Sequence, residues 1–132
     1  MKNLWTKTFK GLLILITIFT LNACEDDDWM TRSDISGTWR IAEVQTFGGR
    51  CPYWEGDRFI FDYNGNFTAY GQNDFVEYGY WDVNRDVIQI DFDNDGRTDV
   101  IATISSLDRG YLRLDVTDRL YGSEYTLRLT RW

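Results

Sequence analysis

A strict alternation of apolar and polar residues in the last part of the chain constrains its fold more than any other feature. Leu112, Leu114 and Val116 alternate with Arg113 and Asp115, and the same period of two recurs through residues 125–130. Successive side chains of a β-strand point to opposite faces, so this period predicts strands that bury one face. From residue 37 onward no helical period of useful length competes with it.

Turn-forming residues divide the chain from residue 37 into short segments. Pairs such as Asn64-Gly65 and Asp95-Gly96 separate apolar runs, and such pairs are typical of hairpin turns. They predict eight strands, at residues 37–46, 57–62, 66–72, 75–83, 87–92, 98–106, 110–117 and 123–131. Mostly short connections favour antiparallel neighbours, and a meander of this kind removes its exposed edges most simply by closing into an up-and-down barrel. The predicted fold class is therefore an all-β, eight-stranded antiparallel barrel.

The turn at Asn64-Gly65 also predicts a register. A two-residue loop would place Asp62 opposite Phe67 and mix a charge with an aromatic ring on one face. A three-residue loop at 63–65, with Gly65 at positive φ, instead places Phe61 opposite Phe67 and Phe59 opposite residue 69. Because the second register buries one uniformly apolar face, we expect it to be the one adopted.

The start of the chain has the order of a bacterial lipoprotein signal peptide. Three lysines and no acidic residue precede an apolar run at 11–20, which Leu21-Asn22-Ala23-Cys24 follows. That run has about half the length that a membrane-spanning helix needs, and the order is that of a cleaved secretory signal. The tetrapeptide resembles the lipobox, whose cysteine is acylated before cleavage. We expect residues 1–23 to be removed and Cys24 to carry lipid, the alternative being an ordinary secretory peptide with a coincidental cysteine.

An acidic run comes directly after this cysteine. Glu25-Asp26-Asp27-Asp28 cannot pack into a core and should stay solvated. Acidic residues in this position resemble the surface-export signal of Bacteroidetes lipoproteins, although a generic polar tether is physically sufficient. We expect residues 24–35 to be an acidic tether and residues 36–132 a single β-barrel domain. The predicted location is the outer membrane, held through the lipid anchor and exposed at the cell surface.

Charge and composition exclude several functions. After cleavage, 109 residues remain, with eleven arginines, no lysine, no histidine and twenty-one acidic residues, a net charge of −10. Such a chain repels phosphate backbones, so nucleic acid is not an expected partner. Without histidine or a recognisable nucleophile motif, the chain is predicted not to be an enzyme. Cys51 is the one cysteine left besides Cys24, so no internal disulfide is expected, and we expect its thiol to be buried as a small apolar group.

Several short motifs resemble one protein family. Gly37-Thr38-Trp39 is similar to the Gly-x-Trp motif of lipocalins, and the spacing of aromatic residues at 59–67 and 80–83 resembles small lipocalin-like lipoproteins of Bacteroidetes. The resemblance implies that Trp39 packs at the closed end of the barrel beneath an arginine near the C-terminus. Arg131 is the best positional match and Arg128 the second. It also implies an open mouth that holds a small, largely apolar molecule.

Three function classes stay open at this point. The first is a lipid-anchored binding protein with an apolar small molecule inside the barrel, and the second is a surface module that binds glycan or protein through exposed aromatic residues. The third is a structural lipoprotein with a filled core, because eight strands enclose a space that side chains alone can fill. The candidate ligand-contacting residues are Phe59, Phe61, Phe67, Tyr78 and Tyr80.

One acidic turn is a candidate calcium site. The stretch from residue 91 to 99 has the spacing D-x-D-x-D-G-x-x-D between two predicted strands. Alternate aspartates around a glycine turn can converge on one hard cation, which prefers oxygen ligands. The spacing resembles the hairpin calcium loop of integrin-type propellers, and a solvated, acidic hairpin is the alternative. The resemblance implies that calcium would be held by Asp91, Asp93, Asp95, the carbonyl of Arg97 and Asp99.

Overall fold

Eight antiparallel strands form a closed barrel in which each strand pairs with the next and the last pairs with the first. The computed structural model describes residues 31–132. Its elements are α1 Arg32–Ile35, β1 Gly37–Gly48, β2 Arg58–Phe61, β3 Asn66–Tyr70, β4 Val76–Asn84, β5 Val87–Asp91, β6 Val100–Asp108, β7 Tyr111–Asp118 and β8 Ser123–Arg131. The predicted fold class is confirmed, and each predicted strand overlaps an observed one.

The β2–β3 hairpin has the predicted register. Phe61 lies opposite Phe67 and Phe59 opposite Ala69. The amide of Asp62 donates to the carbonyl of Asn66 at 2.9 Å, which leaves three residues in the loop. Gly65 ends that loop at φ +98°, a conformation that costs glycine little and other residues more. The chemistry of the turn therefore sets which side chains of β2 and β3 enter the barrel.

A β-bulge changes the direction of the side chains along β1. Trp39 and Ile41 face inward with exposures of 0% and 1%, and the pairing with β8 then shifts register between Ile41 and Glu43. A bulge inserts one extra residue and exchanges the two faces of a strand. Beyond it, Val44 lies opposite Leu127 and Thr46 opposite Tyr125, so even-numbered residues now face inward. Beyond Arg40, β1 pairs with β8 alone, because β2 pairs only with residues 37–40.

Helix α1 covers one end of the barrel. Ile35 is fully buried, and its carbonyl accepts a hydrogen bond of 2.8 Å from Trp39 Nε1. This part of the chain had been assigned to the tether at 24–35, so the packed domain begins earlier than the predicted residue 36. The cause is the apolar side chain of Ile35, which needs burial. We call this the closed end; the opposite end, the mouth, carries the loops at 49–57, 71–75, 92–99 and 119–122.

The predicted signal peptide, Cys24 and the acidic run at 25–28 lie outside the described residues. Within residues 31–132, no helix is long and apolar enough to cross a membrane.

Candidate functional site

The barrel interior is filled by its own side chains. Phe59, Phe61 and Phe67 are at most 3% exposed, and their ring centroids lie 5.1–6.3 Å apart. The space left among the core side chains is about 10 Å³, which a single water molecule would fill. These three predicted ligand-contacting residues therefore contact one another. Of the two possibilities that the sequence leaves open, a cavity or a filled core, the described barrel has the filled core.

The other two predicted contact residues lie on the outside of the barrel. Tyr78 and Tyr80 are 69% and 48% exposed, whereas Trp81, the next residue on β4, is buried. Only one face of β4 can point inward, and Trp81 occupies that face by packing against Phe61 at 5.1 Å. Three of the five predicted residues thus lie inside the barrel and two lie outside it, and they form no common site.

Trp39 and Arg131 come together at the closed end. The guanidinium carbon of Arg131 lies 4.0 Å from the centroid of the Trp39 ring. Two nitrogens of this guanidinium donate to the carbonyls of Ser36 and Asp34, at 2.6 and 2.9 Å. Partial burial lowers the pKa of Arg131 from its ordinary value. Arg131 thereby links the C-terminal end of α1 to the end of β8. Arg128, the second candidate, instead contacts Glu43 and Tyr111 on the outer surface.

The acidic turn at 91–99 does not gather its carboxylates. Asp91 accepts hydrogen bonds from the amides of Asp93 and Gly96, and Asp95 accepts one from the amide of Arg97. Asp99 is 8% exposed and accepts from the amide of Phe92 at 2.8 Å. In residues 31–132, no three acidic, cysteine or histidine side chains are grouped so as to hold a metal ion. The structure therefore does not bring the predicted calcium ligands together: the carboxylates of Asp91, Asp95 and Asp99 accept hydrogen bonds from backbone amides and stabilise the turn.

An open cleft of about 550 Å³ lies at the mouth of the barrel. One wall is the second half of β1, whose inner face beyond the bulge has no β2 partner. The other wall is the loop at 49–57, which folds back toward β1: the amide of Gly56 donates to the carbonyl of Ile41, and the amide of Ile41 to the carbonyl of Asp57. The lining residues are Val44, Thr46, Gly49, Arg50, Cys51, Tyr53, Trp54, Glu55 and Gln72.

Tyr53 separates this cleft from the filled interior. Its ring is 7% exposed and packs edge-on against Phe59 at 4.8 Å and against Tyr125 at 6.4 Å. Its hydroxyl donates to Glu77 Oε1 at 2.9 Å. The sequence prediction missed this residue, although one signal was present: residues 49–57 form a long connection that contains the single proline, Pro52. Long ordered loops with their own packed side chains are frequently functional.

Buried carboxylates surround the floor of the cleft. Asp118 is 2% exposed and accepts hydrogen bonds from the Tyr125 hydroxyl at 2.8 Å and from two amides of the loop at 119–122. Asp57 is 5% exposed and accepts from the amide of Trp54 at 2.9 Å. With Glu77, three acidic side chains therefore lie beneath a loop that also carries Glu55 and Arg50.

These carboxylates affect the ionisation of their neighbours. Burial raises the pKa of the Tyr53 hydroxyl well above its ordinary value, and the nearby charge of Glu77 raises it further. Burial likewise raises the pKa of the Cys51 thiol, with a smaller contribution from Asp118 and Asp57. Cys51 is half-buried rather than fully buried as expected, because it lines the cleft. The thiol therefore stays protonated, and the cleft floor disfavours bound anions.

No protein-family model matches this chain, and no curated protein is significantly similar to it. The geometry defines an eight-stranded antiparallel β-barrel of lipocalin-like architecture, with a filled interior and an open cleft at its mouth.

Proposed function

We propose that this chain is a non-enzymatic, lipid-anchored binding protein that takes a small molecule in the mouth cleft rather than inside the barrel. One observation carries the proposal: the interior has about 10 Å³ of free space, whereas the cleft has about 550 Å³. Small-molecule sites are typically concave and of about 300–1,000 Å³. The cleft therefore has a suitable size, and the interior does not.

The lining of the cleft suits a partly apolar ligand. Trp54 is 62% exposed and offers an indole ring at the rim, while Val44 is half-buried and offers an aliphatic wall. Gln72 and Thr46 supply a few polar groups that can orient a ligand. The carboxylates beneath Tyr53 favour neutral or cationic molecules over anions. We therefore expect a small molecule with an apolar body and no negative charge.

The membrane anchor in this proposal rests on the sequence alone. Cys24 follows a lipobox-like tetrapeptide, and the absence of histidine and of a nucleophile motif speaks against catalysis. The short motifs shared with lipocalin-like lipoproteins of Bacteroidetes support membership of that group, as does the barrel topology.

The test is a binding screen that compares ligand charge. The full chain is titrated with matched apolar amines, alcohols and carboxylates, and the thermal midpoint is measured. We expect amines or alcohols to raise the midpoint more than the matched carboxylates do, because a ligand that binds only the folded state stabilises it.

Two exposed tryptophans supply a matched pair of variants. Trp54 lies in the cleft and Trp132, which is 67% exposed, lies outside it. Trp54→Ala should weaken a ligand found in the screen by about tenfold, as expected for loss of one aromatic anchor, and Trp132→Ala should leave its affinity unchanged. Equal affinities in both variants and in the unmodified chain would place the ligand elsewhere.

A further inference from the structure

Two arginines and two aromatic residues form a continuous surface on the outside of β1, β2 and β3. Arg40 of β1 lies opposite Arg58 of β2, which lies opposite Tyr70 of β3. Trp132 follows β8, and its amide donates to the carbonyl of Thr38 at 3.0 Å, which fixes the C-terminus beside β1. We call the four residues Arg40, Arg58, Tyr70 and Trp132 the arginine–aromatic face.

The guanidinium groups of this face stack on its rings. The guanidinium carbons of Arg40 and Arg58 lie 5.6 and 5.2 Å from the centroid of Trp132, and that of Arg58 lies 5.3 Å from the centroid of Tyr70. Stacking occupies the faces of a guanidinium and leaves its N–H groups pointing sideways. The face therefore presents ordered N–H donors next to exposed aromatic carbon.

No acidic side chain neutralises these two charges in the part of the chain that the structure describes. Arg32 and Arg128 form ion pairs with Asp82 and Glu43, whereas no such pair involves Arg40 or Arg58. Like charges on directly opposed cross-strand residues repel. This arrangement exists in a chain that carries a net charge of −7. Arg40 and Arg58 therefore form a local positive surface on a protein that is acidic overall. An external anion bound there would offset the repulsion between the two guanidiniums.

We propose that the arginine–aromatic face binds an acidic polysaccharide, a polymer of sugars that carry carboxylates. Guanidinium N–H groups match the planar, two-oxygen geometry of a carboxylate. The exposed ring of Trp132 and the half-buried ring of Tyr70 supply flat apolar surfaces against which the C–H face of a sugar ring can stack. Adjacent strands are about 4.8 Å apart, a spacing close to the length of one sugar unit, so Arg40 and Arg58 can contact successive units of one polymer.

The neighbouring strand extends this surface in one direction. On β4, Val76 lies opposite Tyr70, and Tyr78 lies opposite Thr68 one row closer to the closed end. Tyr78 is 69% exposed, and Tyr80 follows it on the same outer face at 48%. A polymer bound at Arg58 could therefore continue across β3 onto two more rings. An extended aromatic row of this kind suits a chain-like ligand better than a single small anion.

Anionic lipid is the competing ligand, and the structure favours the polysaccharide. A lipid surface is engaged by apolar side chains that insert into it, with positive charges around them. Here the guanidiniums of Arg40 and Arg58 both lie over the ring of Trp132, so this ring could not insert among lipid chains without burying their charges. The face is also distinct from the mouth cleft, because none of its four residues lines that cleft.

The experiment measures binding of the full chain to polygalacturonate, with neutral dextran as the comparison polymer. We expect binding to polygalacturonate that falls as salt is raised, because exposed charges are screened, and no binding to dextran. Arg58→Gln and Trp132→Ala should each weaken binding by about tenfold, as for loss of one charged hydrogen-bonding group or one stacked ring. Arg97→Gln is the matched control, since it removes the same charge from an exposed loop residue, and it should bind as the unmodified chain does.

Three results would overturn this proposal. Equal loss in Arg97→Gln and Arg58→Gln would mean that binding depends only on net charge. Equal binding to dextran would mean that the arginines play no part. Binding to vesicles of anionic lipid but not to polygalacturonate would assign the face to the membrane. None of these results bears on the mouth cleft, which Trp54→Ala tests separately.

Discussion

Single residues at the closed end hold the two ends of the described chain together. Trp39 is fully buried, donates to the carbonyl of Ile35 and carries the guanidinium of Arg131 above its ring. Truncation of this side chain would leave a large void, remove the ring beneath the guanidinium of Arg131 and leave the Ile35 carbonyl without its donor. We expect Trp39→Ala to lower the free energy of unfolding by about 3–5 kcal/mol, as for other core aromatics, measured by urea denaturation.

The control for that variant is another tryptophan to alanine change. Trp54 is 62% exposed, so Trp54→Ala should alter the free energy of unfolding by less than about 1 kcal/mol. A loss below 1 kcal/mol for Trp39→Ala itself would contradict the role that the structure assigns to its ring.

The ionisation of Glu77 should make the stability of the fold depend on pH. Burial raises its pKa above the usual value of 4.5, and the hydrogen bond from Tyr53 only partly offsets this effect. A carboxyl group with a raised pKa in the folded state binds its proton more tightly there than in the unfolded state. Its contribution to stability is therefore fully present below pH 4.5 and is lost as the pH rises through the raised value.

Glu77→Gln removes this titration and keeps an acceptor for Tyr53. In melts at a series of pH values, the unmodified chain should lose stability relative to Glu77→Gln as the pH rises above 4.5. Parallel curves for Glu77→Gln and the unmodified chain would mean that Glu77 is solvated in the folded protein.

At the scale of single elements, the β2–β3 hairpin depends on one glycine. Gly65 has φ +98°, while the nearest atoms to an added Cβ are 3.6 Å away, so backbone strain rather than a clash would oppose a side chain. Gly65→Ala should lower the free energy of unfolding by about 1–2 kcal/mol. Gly110→Ala, in the β6–β7 turn, has no positive φ and no atom within 4 Å of its Cβ. It should be neutral or slightly stabilising in the same urea experiment.

The acidic turn between β5 and β6 is expected not to respond to calcium. The carboxylates of Asp91, Asp95 and Asp99 accept hydrogen bonds from backbone amides and do not converge on one point. Thermal midpoints should therefore be the same with millimolar calcium and with chelator. A rise in the midpoint with calcium that Asp93→Asn abolishes would show that the turn rearranges around the ion.

Features that depend on residues close together in sequence could be predicted, and features that depend on residues far apart in sequence could not. The hairpin register was predictable because three loop residues and two facing phenylalanines decide it. The bulge in β1 was not, because the extra residue near Ala42 is defined only by its pairing with β8, far away in sequence. The mouth cleft could not be predicted for the same reason, because its two walls are joined by hydrogen bonds between Ile41 and the loop at 49–57.

The arrangement of the acidic turn and the free space of the interior could not be predicted from the sequence for another reason. Spacing alone shows that aspartates can converge, but it does not show that the amides of Asp93, Gly96 and Arg97 compete for them. Likewise, alternation identifies which rings enter the barrel but not whether space remains once they are packed. The bulky inward residues, Phe59 and Phe61 among them, decide that question only in three dimensions.

For the whole molecule, lipid attachment is the prediction that matters most. Labelling with a fatty-acid probe should tag the unmodified chain, because Cys24 ends the lipobox-like tetrapeptide. Cys24→Ser should abolish the label, and Cys51→Ser is the matched control that should retain it. Equal labelling of Cys24→Ser would leave the chain with an ordinary secretory signal.

The position of α1 determines which way such a molecule would face. Six residues lie between Cys24 and Thr31, which precedes α1 at the closed end. The seven Cα–Cα steps from Cys24 to Thr31 span at most about 25 Å when fully extended. If Cys24 carries the predicted lipid, a barrel joined to that anchor through its closed end would direct its mouth into the surrounding medium. Whatever the cleft captures would then arrive by diffusion from that medium and not by extraction from the bilayer beneath, which suits a receptor for scarce soluble compounds rather than a carrier of lipids.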